Sequence, residues 1–189
     1  MALILDSGVH LVTCINREIV IFNKKNQTHT KTVIPTYVKM IEKPAGGEEQ
    51  DSDNENKTKV TVSNQIHQAS LSPCGELLAL TTFGDKLLFL YKLQQDDQLE
   101  LLGKQEIQRT SSALRFSGDS KHLLVADKTG DCYVLNCDQP VDRVQWMLGH
   151  LSIVLDCLWA PDKRYASLRK WFQTFKFSSK IFHFDPDSS

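Results

Sequence analysis

Apolar positions along this chain come in short runs separated by clusters of Gly, Pro, Asn, Asp and Ser. Leu3–Leu5, Val9–Ile15 and Glu18–Phe22 read as extended segments, with Asn16-Arg17 as a tight turn between the last two. Leu77–Thr82, Leu87–Leu93, Leu99–Leu102, Ala113–Phe116, His122–Ala126, Cys132–Asn136 and Ile153–Trp159 have the same character. Few segments keep a helical period, and strong capping boxes before apolar runs are absent. The pattern predicts an all-β fold.

Three stretches align with one another. They are Ala69-Ser-Leu-Ser-Pro-Cys-Gly-Glu-Leu-Leu-Ala-Leu80, Leu114-Arg-Phe-Ser-Gly-Asp-Ser-Lys-His-Leu-Leu-Val-Ala126 and Leu158-Trp-Ala-Pro-Asp-Lys-Arg-Tyr-Ala166. Each is an apolar strand, a polar turn and a second apolar strand. With Ser72, Ser117 and Ala160 as equivalents, the steps are 45 and 43 residues. The first two copies continue through a polar turn, Gly84-Asp85-Lys86 or Lys128–Asp131, into a third apolar strand. A four-strand unit repeated every 40–45 residues is the pattern of β-propeller blades.

Gly149-His150 precedes Ile153–Trp159, as the Gly-His pair does at the start of a WD repeat. In such a blade the histidine bonds an Asp in the turn after the second strand and fixes the blade edge. Gly149 and His150 are therefore read as blade-structural, as is Asp85 in the corresponding turn of the first copy. The other copies have Thr61-Val62 and Glu106-Ile107 in place of Gly-His. At about 43 residues per blade a seven-blade ring takes roughly 300. The 189 residues are thus expected to form a partial propeller of three to four blades.

Composition narrows the classes. The apolar share of 41% suits a packed core, and a formal charge of -1 gives no global field for nucleic acid or an anionic membrane. No run approaches a membrane span, and the first residues lack the pattern of a signal peptide. The five cysteines, Cys14, Cys74, Cys132, Cys137 and Cys157, form no Cys-x-x-Cys pair and no zinc spacing. Three of them lie in apolar runs, so a packing role is expected, and without an export signal the expected compartment is reducing. There is no Gly-rich cofactor loop, P-loop or nucleophile elbow; no cofactor and no metal is expected. Residues 42–59 carry six acids, three lysines and no large apolar side chain, which predicts a flexible acidic insert between strands.

Leu123–Tyr133, with its string Ala-Asp-Lys-Thr-Gly-Asp over Ala126–Asp131, resembles the WD-repeat non-catalytic subunit of tRNA (guanine-N7-)-methyltransferase, the Wuho family. Leu148–Asp156 and Ala160–Tyr165 share the resemblance, which covers about residues 1–166. It implies a partial WD-repeat β-propeller without methyltransferase chemistry of its own, hence not an enzyme. It implies a heterodimer with the catalytic subunit, which carries the S-adenosylmethionine site and methylates a guanine in the tRNA variable loop. The tRNA would be met mainly through the complex, with no membrane partner, in the nucleus and secondarily the cytoplasm. A generic WD-repeat scaffold and a non-functional truncated isoform are the alternatives.

Asp127, Lys128 and Asp131 fall at a turn expected to be exposed, where a charged loop can make directional contacts. They are candidate partner-binding residues; the other reading is a solvated turn that closes a strand pair. After Ala166 the repeat breaks down. Residues 167–189 form a divergent tail with six of the chain's twelve Trp and Phe residues and no Asp before Asp185. This removes the expected partner of His150, and a changed reading frame, a retained intron or an alternative exon is the expected source of the shift. Arg169, Lys170, Lys176 and Lys180 interleave with these aromatics, an arrangement that could stack on RNA.

Overall fold

The computed structural model describes residues 2–35, 37–42, 57–62, 65–84, 86–138, 142–147, 154–160, 165–171 and 177–183; residues 37–42, 57–62, 142–147, 165–171 and 177–183 are described as backbone only. Every regular element among them is a β-strand. The first sheet has the order β1 (Ala2–Asp6), β2 (His10–Ile15), β3 (Glu18–Asn23), β4 (Thr28–Val33). A hairpin of β5 (Tyr37–Glu42) and β6 (Lys57–Val62) follows. The second sheet is β7 (Gln65–Leu71), β8 (Leu77–Phe83), β9 (Leu87–Leu93) and β10 (Leu99–Glu106). The third is β11 (Ser111–Phe116), β12 (His122–Asp127), β13 (Cys132–Asn136) and β14 (Asp142–Met147). The fourth has β15 (Val154–Trp159), β16 (Tyr165–Trp171) and β17 (Phe177–His183).

All pairings are antiparallel between chain neighbours, so each sheet is a meander. The sheets stand side by side, with β1 against β7, β7 against β11 and β11 against β15. Those first strands form the inner rim, as in propeller blades. Apolar side chains fill the spaces between blades. Ile19, Leu80 and Phe89 belong to the core between the first two blades, Leu90, Leu114 and Tyr133 to the next, and Leu124, Val134 and Cys157 to the last. A central strand of a blade is covered on both faces, which is why β9 and β13 read as continuous apolar runs.

The 45-residue repeat has a hydrogen-bond counterpart. Ser72 and Leu77 close one turn: Ser72 N–H donates to Leu77 O at 2.9 Å, and Leu77 N–H to Ser72 Oγ at 2.9 Å. Ser117 and His122 do the same at 2.8 and 3.0 Å. Within both turns the fourth residue takes a left-handed conformation, Gly75 at φ 78° and Ser120 at φ 64°. Ser7 and His10 close a shorter version between β1 and β2. The serine is needed because its hydroxyl accepts the N–H that the turn leaves unpaired.

Three placements differ from the sequence reading. The strands β4, β5, β6 and β14 were not legible as apolar runs. Strands also run into both ends of the acidic segment: Glu42 pairs with Lys57, and residues 43–56 lie outside the described ones. Finally, the divergent tail enters the fourth sheet. Lys170 pairs with Val154 on one side and Ser178 on the other, so strand pairing continues past the composition break.

Candidate functional site

In a four-strand meander the second turn and the exit of the fourth strand share one end of the blade. The Lys128–Asp131 turn between β12 and β13 therefore lies at the same end as Asn16-Arg17, the turn after Phe83, and the β10–β11 connection. Lys128 N–H donates to Thr110 O at 3.2 Å, tying the turn to that connection. Asp127 closes the turn from within: its Oδ1 accepts the Thr129 hydroxyl at 2.6 Å and the N–H groups of Thr129, Gly130 and Asp131 at 2.8, 3.1 and 3.1 Å. Its own N–H donates to Asp131 O at 2.9 Å.

The expectation that all three charges face solvent is thus corrected for Asp127, which is 2% exposed. Its Oδ1 is committed to the turn. The preceding blade explains why: Thr82 stands 45 residues earlier and accepts Leu87 N–H on its hydroxyl at 3.1 Å. Asp127 performs that closure with a carboxylate. Lys128 is exposed and Asp131 half-buried, leaving these two to face outward. Asp85, Gly149 and His150 lie outside the described residues, so their blade-structural reading stays a proposal.

Lys128 has neighbours that the sequence did not single out. Burial lowers the His67 pKa, and the Lys128 ammonium lowers it further. The His67 ring lies 5.5 Å from that of Phe83, which is 55% exposed for so large an apolar group. Asn16, Gln65, Ile66, His67 and Phe83 line a cleft of about 240 Å³. An exposed aromatic and a shallow cleft at the same end of the blades as Lys128 make a mixed surface suited to a protein contact.

At the opposite end Asp97 joins the first two blades. His10 Nε2 lies 3.0 Å from its Oδ1; Asn23 Nδ2 donates to both oxygens at 2.9 and 3.2 Å, and Thr28 Oγ1 donates to Oδ2 at 3.2 Å. Burial opposes ionisation of this carboxyl, but the bonds from Asn23, Thr28 and His10 outweigh it and hold the pKa below the ordinary value. Among the described residues no group of three or more His, Cys, Asp or Glu side chains could hold a metal ion.

Antiparallel four-strand blades packed around a common inner rim define a partial WD-type β-propeller. The β-propeller of Cps50 (Swd1) from Myceliophteria thermophila superposes with a TM-score of 0.69 at 13% identity, over 98% of this chain and 54% of that one. Kuenenia stuttgartiensis hydrazine synthase gives a TM-score of 0.64 at 12% identity, over 94% and 43%; at such identities the likeness concerns fold alone. The family model of the tRNA methyltransferase TRM82 WD40 domain matches residues 20–146, and the chain belongs to that family.

Two relatives carry the name tRNA (guanine-N(7)-)-methyltransferase non-catalytic subunit wuho. The one from Drosophila grimshawi is 43% identical over 66% of this chain and 33% of its own length. That from Drosophila pseudoobscura pseudoobscura is 45% identical over 56% and 26%. The chain thus spans about a third or less of these relatives.

Proposed function

We propose that this chain is a propeller part of a tRNA guanine-N7 methyltransferase, acting as a non-catalytic subunit that binds and stabilises the catalytic one. The observation that carries the reading is the family match over residues 20–146, with relatives named as non-catalytic subunits of that enzyme. The geometry supports a scaffold. A buried Asp127 holds the turn in one shape, so Lys128 and Asp131 are presented without further ordering cost. Phe83, 55% exposed at the same end of the neighbouring blade, supplies apolar area. In this reading Lys128 meets an acidic patch on the catalytic subunit, and Asp131 a donor.

Methyl transfer belongs to the partner, and tRNA is met mainly through the assembled heterodimer, in the nucleus and secondarily the cytoplasm, with no membrane contact. Depletion of the protein should lower N7-methylguanine in tRNA, and re-expression should restore it. Unchanged N7-methylguanine after depletion would instead favour a propeller scaffold in another assembly.

A further inference from the structure

The two faces of the first blade differ. Val12, Cys14, Ile19 and Ile21 are buried in the core shared with the second blade. Side chains alternate across a strand, so the intervening positions stand on the opposite face. There Ile4, Ile15, Phe22 and Val33 are exposed, Ile4 to 68%. The register gathers them on one surface. One row runs Ala2, Ile15, Glu18, Val33 across the sheet; Ile4 lies two residues on from Ala2, and Phe22 four on from Glu18. Two acids of this face are already paired, Asp6 with Lys24 at 2.6 Å and Glu18 with Lys31 at 2.7 Å, so their charge is balanced before anything docks.

The sequence of β3, EIVIFN, is that of a covered strand. A continuous apolar run belongs where both faces are packed, as in β9, where Leu87 to Tyr91 are all buried. In β3 Ile19 and Ile21 are buried, whereas Val20 is half-buried and Phe22 exposed. The last sheet shows the same one-sidedness. Val154 and Cys157 of β15 are buried against the third blade, while Leu155 and Leu158, the residue after each, are exposed.

Between these two apolar flanks the blades sweep about half a ring. The superposition on the Cps50 propeller takes in 98% of this chain and 54% of that one. Two copies of the four blade sheets make eight, and closed propellers have roughly four to eight blades.

We propose that two copies of this chain join head to tail into one closed ring, the open flank of each first blade packing on the β15 sheet of the other copy. A head-to-tail contact closes when its rotation divides a full turn, and half a ring per copy meets that condition with two. A face of four strands, each about six residues long, measures about 20 by 20 Å, and a three-strand face somewhat less. The two contacts together bury about 1,400 Å², enough for a stable interface. They lie on the blade flanks rather than at the Lys128 end, so the ring is independent of whether a catalytic subunit docks there.

Sedimentation equilibrium of the full chain tests this, with twice the chain mass as the expected result. Ile4→Glu and Val33→Glu alter one flank and Leu158→Glu the other. Each variant puts a charge into both contacts of its ring and should weaken the dimer about tenfold or more. Ile4→Glu and Leu158→Glu mixed in equal amounts should recover part of it, because one contact of the mixed pair joins unaltered surfaces. Leu101→Glu, at an exposed position of the outer strand β10, should leave the dimer intact. All four sites are exposed, so urea midpoints of the dissociated chains should agree, which separates lost association from lost folding. A monomer at every concentration would overturn the proposal. So would a dimer that Leu158→Glu leaves intact, the mark of two first-blade flanks packed face to face, or a ladder of larger oligomers, the mark of a contact that does not close.

Discussion

Asn23 donates to both carboxylate oxygens of Asp97, 74 residues away in sequence, at 2.9 and 3.2 Å. The first residue ends β3 and the second lies in the β9–β10 turn, so the pair stitches the first blade to the second. Both are buried, at 6% and 5% exposure. Removing Asp97 leaves the Asn23 amide and the Thr28 hydroxyl without an acceptor. Asp97→Ala should therefore cost about 1–3 kcal/mol, read as a drop in urea midpoint at constant m-value. Asn23→Ala should cost a comparable amount: Asp97 keeps Thr28 and His10, but the Lys25 and Asn26 N–H groups lose the Asn23 Oδ1 that accepts them at 3.0 and 3.3 Å.

The same carboxylate gives a pH signature. Its folded pKa lies below the ordinary value, so its contribution is present above the unfolded pKa of about 3.9 and is lost as pH falls through the folded one. The stability gap between the unmodified chain and Asp97→Asn should be full at pH 7. It should narrow only below about pH 4. A gap that closed between pH 7 and 5 would contradict this assignment.

Much of this architecture could be read from the chain, because a blade's inner strands are covered on both faces and so must be apolar. β9 (Leu87–Leu93) and β13 (Cys132–Asn136) were legible to the residue. β4, with the sequence THTKTV, was not: its side chains are exposed or half-buried, and little selects apolar ones there. Asp97 was invisible because its partners come from another blade. Asp127 misled for a different reason. A charged residue before Lys-Thr-Gly looks like surface, and only its 45-residue offset from Thr82 marks it as the residue that closes the turn.

Asp127 and Lys128 should separate cleanly. Asp127→Ala strands three turn N–H groups and the Thr129 hydroxyl and should cost about 1–3 kcal/mol. Lys128→Ala should leave stability within about 0.5 kcal/mol, as for an ordinary surface change. Chemical denaturation of the two variants side by side checks this.

Packing between blades should dominate the larger effects. Leu124 is 0% exposed in the core shared by the third blade and β15, whereas Leu155 on β15 is 49% exposed. Leu124→Ala should cost about 2–5 kcal/mol, and Leu155→Ala less than about 0.5 kcal/mol. Comparable losses from the two would mean that the β15 sheet does not pack as described.

Gly75 tests the repeat turn itself. It holds φ 78°, and a Cβ there would approach Ser7 Cβ to 3.2 Å. Gly75→Ala should lower stability by about 1–2 kcal/mol, combining left-handed strain with that contact. The thermal midpoint reports it directly.

The most direct measurement for the proposed role is the affinity of this chain for the catalytic subunit of the tRNA guanine-N7 methyltransferase, with and without Lys128→Glu. The account predicts a heterodimer by co-expression and size-exclusion chromatography, and a Kd raised about tenfold or more by the charge reversal, or about 1.4 kcal/mol, at unchanged folding stability. A well-folded chain that forms no heterodimer, or a heterodimer indifferent to Lys128→Glu, would contradict it.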